Sequence, residues 1–299
     1  MRALKCVQQR YVASDDVALL MEAFRHMVND CIRIGLQENI SSLKMLSLVC
    51  YSQLKRYDVL SYYKLCAISR ASGILKNYRC FTRKGRRTKI PYVWRPQLVT
   101  CYGFKIKDGK LLLPSKAGER IEIPLNSYTR RLLAVADLQV RSVTLTPDRL
   151  SLSVVREVAP VKPMGVVGVD CNLTNVTIAS PNWSVTHFDL SGAVSVKQKH
   201  QAIKSHMTRN DVRVRKRVYM KHGELEKSKV RWILHNASKH LVESAKEHQL
   251  VIIMEDLKGI RNLYRKGNGQ GRWHRGLLNS WLFREFQRQV EYKANWEGL

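Results

Sequence analysis

The sequence predicts an α+β protein of more than one domain, and three stretches of the chain carry that expectation. Apolar residues recur three and four apart through the first third. Short alternating runs bounded by turn residues occupy the middle. The last part opens with strands, continues through long helical stretches and returns to an uninterrupted apolar run at 250–254. With 299 residues, the chain has room for two or three such modules.

The helical part begins at Ser14, a residue suited to accept the first unpaired amides of a helix. Behind it Leu20, Phe24, Met27, Val28 and Cys31 draw one apolar face. Segments 42–57 and 59–77 repeat the pattern, so 12–80 reads as a small helical bundle. A basic run follows, Arg83, Lys84, Arg86, Arg87 and Lys89. The interval from Cys80 to Arg95 holds six Lys or Arg and no acid.

From about 90 to 157 the period changes to that of strands. Asp108-Gly109, flanked by Phe104, Ile106 and Leu111–Leu113, is a hairpin signal. Residues 120–123 alternate. Residues 140–145 and 150–155 flank Thr146-Pro147-Asp148, a second turn. These strands suit a β-rich module such as a barrel. Pro160 and Pro163 then mark a linker, so the expected domains are 1–160 and 161–299.

Strands are expected at 166–170, 176–179 and 185–188. A helical stretch at 194–221 comes next, then a second helix with Val230, Ile233, Leu234, Ala237, Leu241 and Ala245 on one stripe. The run Leu250–Met254 has no polar position, which is the pattern of a buried central strand, and it ends in Glu255. A basic, glycine-rich loop (258–276) and an amphipathic helix from about 278 complete the order.

Charge decides the class of partner. Lys and Arg number 52 against 24 Asp and Glu, a formal net charge of +28 with a pI near 10.1. Such a field fits a polyanion, most simply nucleic acid. Three basic stretches could track phosphates: 80–95; 196–221, with Arg213, Arg215, Lys216 and Arg217; and 257–276, with Arg261, Arg265 and Arg272. Phe81, Tyr92, Trp94, Tyr219, Tyr264 and Trp273 interleave with them, available either to stack on bases or to fill a core. No run approaches the roughly 18 apolar residues of a membrane span, and no signal-peptide core follows Met1, so a membrane partner is not expected and the expected compartment is the cytoplasm, at the nucleoid. The seven cysteines are scattered without any Cys-x-x-Cys, which reads as reduced, mostly buried thiols and no zinc site. His200, His206 and His235 read as surface residues.

Two acids stand where chemistry can occur. Asp170 and Glu255 each end an apolar strand, and adjacent strands lie about 4.8 Å apart, so the two carboxylates can converge on one cation. Oxygen donors suit magnesium or manganese, whose ions polarise a phosphodiester and activate water.

Residues 168–177 (Gly-Val-Asp-Cys-Asn-Leu-Thr-Asn-Val-Thr) resemble the first RuvC motif of the transposon-associated TnpB family, RNA-guided nucleases related to type V CRISPR effectors. Residues 251–257 resemble the second, and Leu278–Arg284 with Phe286 and Glu291–Ala294 resemble the helix that follows it. The resemblance covers roughly 165–299. It implies a β-barrel wedge with a helical recognition insertion, followed by an RNase H-like (RuvC) α/β domain. It also implies a guide RNA from the transposon end, double-stranded target DNA and magnesium-dependent DNA cleavage. Asp170 and Glu255 match the first two metal-binding acids, with Asp256 beside the second. In the family a third acid lies beyond paired Cys-x-x-Cys motifs, which this sequence does not contain. The expectation is therefore an incomplete nuclease domain with weakened metal binding. The two alternatives to cleavage are a cleavage-incompetent RNA-guided DNA-binding repressor and a decaying insertion-sequence remnant.

Overall fold

Side-chain caps fix where the first helices start. In the computed structural model Ser14 Oγ accepts from Val17 N (3.5 Å), opening α1 (Asp15–Gln37). Ser42 Oγ accepts from Met45 N (3.3 Å), opening α2 (Leu43–Cys50). The structure describes residues 1–116, 118–180, 184–207, 212–257, 259, 271, 275–276, 278, 281 and 283–299, with Phe283 in backbone only. The chain divides into two compact units, residues 4–157, and residues 1–3 with 158–299.

In the first unit β1 (Arg2–Arg10) leads into α1 and α2, a 3-10 turn at Gln53–Arg56, and α3 (Ser61–Arg83). Phe24, Met27 and Val28 of α1 and Ile68, Ala71 and Leu75 of α3 are buried. Helices α1 and α3 approach closely at Gly35, where a Cβ would lie 2.4 Å from Leu75 Cδ1 and 2.9 Å from Ile40 O. Helix α3 stops at Gly85 (φ +65°): Arg86 N donates to Phe81 O (3.1 Å) and Gly85 N to Thr82 O (3.0 Å), a Schellman closure that satisfies the last carbonyls from the backbone.

The rest of this unit is β2 (Leu98–Thr100), β3 (Lys105–Lys107), β4 (Lys110–Pro114), β5 (Arg120–Pro124), α4 (Ser127–Leu133), β6 (Gln139–Thr146) and β7 (Arg149–Glu157). With β1, these strands form a four-stranded sheet in the order β1-β7-β6-β2 and a three-stranded sheet β3-β4-β5. Helices α1 to α3 lie in sequence between the two edge strands of the larger sheet. Asp108 (φ +51°) and Gly109 (φ +70°) both take the left-handed conformation that a tight β3–β4 hairpin demands.

In the second unit β8 (Gly165–Cys171), β9 (Asn175–Ala179) and β10 (Val185–Asp189) run antiparallel, and β11 (Leu250–Met254) joins β8 in parallel, giving the order β10-β9-β8-β11. Helices α5 (Ser191–Ser205), α6 (Val212–Glu247) and α7 (Phe283–Glu297) accompany this sheet. Val167, Val169, Val176 and Ile178 share one core with Leu234 and Leu241 of α6 and Phe286 and Val290 of α7. Each such side chain gains about 1.5–3 kcal/mol on burial.

Four sequence expectations need correction. The helix expected at 194–221 ends at Ser205, and 212–221 instead begins α6, which continues through Gly223 because strong helix formers follow that glycine. Strand β11 is an edge of the described sheet rather than a central strand buried on both faces. The helices cover one face, and Val251 and Ile253 on the other are exposed. His200 is buried between α5 and α6, its Nδ1 3.0 Å from His222 Nδ1. Of the seven cysteines only Cys31, Cys50 and Cys66 are buried, while Cys6, Cys80 and Cys101 are exposed.

Candidate metal centre and nucleic-acid interface

Register brings the two acids together. Met254 on β11 pairs with Val169 on β8, so the next residues, Glu255 and Asp170, stand side by side where the strands end. Their carboxyl groups are within hydrogen-bonding reach. Burial, then the hydrogen bond and negative charge of Asp170, push the Glu255 carboxyl above its usual range. The backbone of Glu255 is fixed from α7, where Gln287 Nε2 donates to Glu255 O (2.7 Å). Asn172 Nδ2 donates to Asp170 Oδ2 (2.8 Å), which orients that carboxylate.

The pair belongs to a polar row across the open face of the sheet. Asp170 pairs with Thr177 on β9, and Thr177 with His187 on β10, so the three side chains and Glu255 project to the same side. Thr177 Oγ1 and His187 Nδ1 lie 3.1 Å apart. Cys171 points the other way, against the core, and burial followed by the charges of Asp170 and Glu255 raises its thiol to about 12.

This donor set fits a hard divalent cation. Two carboxylates facing one another repel unless a proton or a cation lies between them, and burial and hydrogen bonding raise the Glu255 carboxyl, with the charge of Asp170 adding to them. Oxygen donors match magnesium or manganese, and the Cys171 thiol is turned away from the pair, against the core. Among the described residues no group of three or more His, Cys, Asp or Glu forms a fuller set of ligands.

The basic residues singled out in the sequence fall on two helix ends. Arg83, Lys84, Arg86, Arg87 and Lys89 are exposed at and beyond the end of α3. Arg213, Lys216 and Arg217 are exposed on the first turns of α6, with Arg215 partly covered. Arg261, Arg265 and Arg272, like Tyr264 and Trp273, lie outside the described residues. At α3 the charge gathers around a pocket of about 290 Å³ lined by Ser41, Lys76, Arg79, Cys80, Arg83 and Lys84. Arg79 is held in place there, its Nη1 donating to Ser41 Oγ (2.9 Å) and its Nη2 to Asn39 Oδ1 (2.6 Å).

No protein-family model matches the chain. A TnpB-like protein of Methanocaldococcus jannaschii is 25% identical to it over 217 residues, which are 66% of this chain and 74% of that protein. The chain is thus similar in sequence to a TnpB-like protein. Its fold is also that of a solved chain: the cryo-EM structure of a Cas12f1–sgRNA–target DNA complex matches with a TM-score of 0.61 over 96% of this chain and 72% of that one, at 12% identity.

Several residues around the candidate site escaped sequence reading. Thr177 and His187 sit in strands whose apolar neighbours dominate the pattern, and only the strand register puts them beside Asp170. Lys76 and Arg79 precede the dense basic run and look like ordinary helix surface. A signal did exist, since they stand three and four residues apart from one another and from Arg83 on one face of α3.

Proposed function

We propose that this TnpB-like chain is an RNA-guided DNA-binding protein of transposon origin. In this reading residues 158–299 act as the RuvC-type nuclease domain. Residues 4–157 act as the wedge, its two sheets corresponding to the barrel and its helices α1–α3 to the recognition insertion. The observation that carries the proposal is the meeting of Asp170 and Glu255 on adjacent strands of a chain with net charge +28. Support for the partners comes from the Cas12f1 chain of like fold, whose complex contains an sgRNA and target DNA. The guide would derive from the transposon end and the target would be double-stranded DNA. The place of action would be the cytoplasm, at the nucleoid. No described helix is long and apolar enough to cross a membrane.

Asp170 and Glu255 would hold Mg2+ or Mn2+, which when bound supplies charge stabilisation and water activation at a phosphodiester. The chain's own residues do the rest. Asn172 and Gln287 fix the two acids, and the pleat aims them away from the core. The basic ends of α3 and α6 neutralise phosphates without reading sequence, which leaves specificity to base pairing.

A second reading, guided binding without cleavage, is favoured by the carboxylate pair having no third acidic or imidazole ligand among the described residues. One experiment separates them. The purified protein is loaded with its transposon-end RNA and offered matched and scrambled DNA with magnesium. Matched-only binding supports guidance, and equal affinity for both targets removes it. Cutting of the matched target that Asp170→Ala abolishes establishes the nuclease; intact DNA establishes the binder.

A further inference from the structure

We propose that Tyr92 and Trp94 form a stacking platform for an unpaired nucleobase of a single-stranded polynucleotide. The proposal deepens the nucleic-acid reading above and rests on it.

Trp94 is 80% exposed and Tyr92 48% exposed. A large aromatic surface left in water forgoes the burial that ordinarily places Trp in a core or an interface. The segment that carries these rings is nevertheless clamped. Asn29 of α1 grips Val93, the residue between them, from both sides: its Nδ2 donates to Val93 O (3.0 Å) and its Oδ1 accepts from Val93 N (2.8 Å). Arg25 Nη1 donates to the Tyr92 hydroxyl (3.2 Å). Pro91 restricts the backbone just before. The two rings meet edge to face, with centroids 4.7 Å apart at 61°. Ordering costs are therefore met before any ligand arrives, which distinguishes a preformed site from a stray surface Trp.

The surroundings select the ligand. From residue 59 to 107 the sequence contains no acid and twelve Lys or Arg. Glu22 of α1 is paired with Arg25 (2.6 Å). The α3 carbonyls are closed by backbone amides, so Arg83, Lys84 and Arg87 are not needed as helix caps, and Arg86 lies over the Phe81 ring (5.4 Å). A cationic ligand would be repelled by this field, which excludes an ammonium-binding aromatic cage. A base-paired duplex keeps its base faces stacked internally, so a flat exposed ring carried by an acid-free segment rich in Lys and Arg fits an unpaired base.

The test measures affinity of wild type, Trp94→Ala and Trp94→Phe for three ligands of equal length and charge per strand: a single-stranded oligonucleotide, the same strand made abasic, and a duplex. Trp94→Ala should weaken binding of the base-bearing single strand by roughly 5- to 150-fold, the range for removing one base–aromatic stack. It should leave the abasic strand and the duplex unchanged, and Trp94→Phe should recover most of the affinity. Trp94 contributes almost nothing to the core, so the variants should melt with wild type. Unchanged binding by Trp94→Ala, or an equal loss on the abasic strand, overturns the platform alone. Failure of the wild type to bind any of the three overturns the nucleic-acid reading and the platform with it.

Discussion

Replacing Asp170 by Asn should make the protein more stable without divalent metal and indifferent to it. The two carboxylates project from strands about 4.8 Å apart, a separation at which two charges repel by about 3.5 kcal/mol at an effective dielectric near 20. Both side chains face solvent, so screening brings the figure down towards about 1 kcal/mol. Asn keeps the shape and can still accept from Asn172, so little else changes. Magnesium at about a hundred times its dissociation constant would stabilise wild type by about 2.7 kcal/mol. For a unit of this size each kcal/mol moves the midpoint by roughly 2–4 °C. Thermal unfolding followed by circular dichroism should thus place Asp170→Asn about 2–4 °C above wild type in EDTA, while saturating MgCl2 raises wild type by roughly 5–10 °C and leaves the variant where it was. A variant that melts below wild type in EDTA, or equal gains for both proteins in magnesium, would refute the idea that these acids share a cation.

Gly35→Ala improves intrinsic helix propensity by about 1 kcal/mol, yet its Cβ would press on Leu75 and on the Ile40 carbonyl, so net destabilisation of about 1–3 kcal/mol is expected in urea unfolding; a more stable variant would disprove the close approach of α1 and α3. Changing Lys76, Arg79, Arg83 and Lys84 together to Gln should flatten the salt dependence of single-strand affinity, by about 0.7 in log–log slope for each phosphate no longer neutralised. An unaltered slope would remove that pocket from the interface. Burial pushes the Asp30 carboxyl up, but hydrogen bonds from the Tyr57 hydroxyl (2.5 Å) and from Arg56 outweigh it and hold the group below its usual range. A depressed carboxylate stabilises the fold above its unfolded value, about 3.9, and that contribution fades as pH falls through the lower folded value. Asp30→Asn should therefore cost stability near neutral pH and progressively less below about pH 4; a pH-independent cost would contradict this.

Local chemistry made much of this protein legible in one dimension. Ser14, the 3.6-residue stripe of α1 and the Asp108-Gly109 turn act through neighbours in sequence, so they read directly. Strand β1 did not, because its inward face carries Gln9 where alternation asks for an apolar residue. Gln9 is buried at that position only because Pro124 O accepts from its Nε2 (2.8 Å) and its Oε1 accepts from Asn126 N (3.0 Å). Helix α4 was also invisible. It is seven residues long, too short to show a period, and starts at Asn126, whose side chain accepts from Thr129 N (2.7 Å). His200 reads as surface because its immediate neighbours are polar, and His222, twenty-two residues away, is what covers it.

By itself the sequence determined the excess of positive charge, the helix and turn signals, and two acids each closing an apolar strand. Charge and local propensity depend only on which residues are present and on their near neighbours. The tertiary structure decided which face of the sheet is open, and that Thr177 and His187 share it with Asp170 and Glu255. It also decided that Asn29 holds Tyr92 and Trp94 out in solvent. Those outcomes depend on strand register and on residues far apart in the chain coming together. A slip of one residue between β8 and β11 would turn one acid into the core, and no pattern within either strand alone fixes that choice.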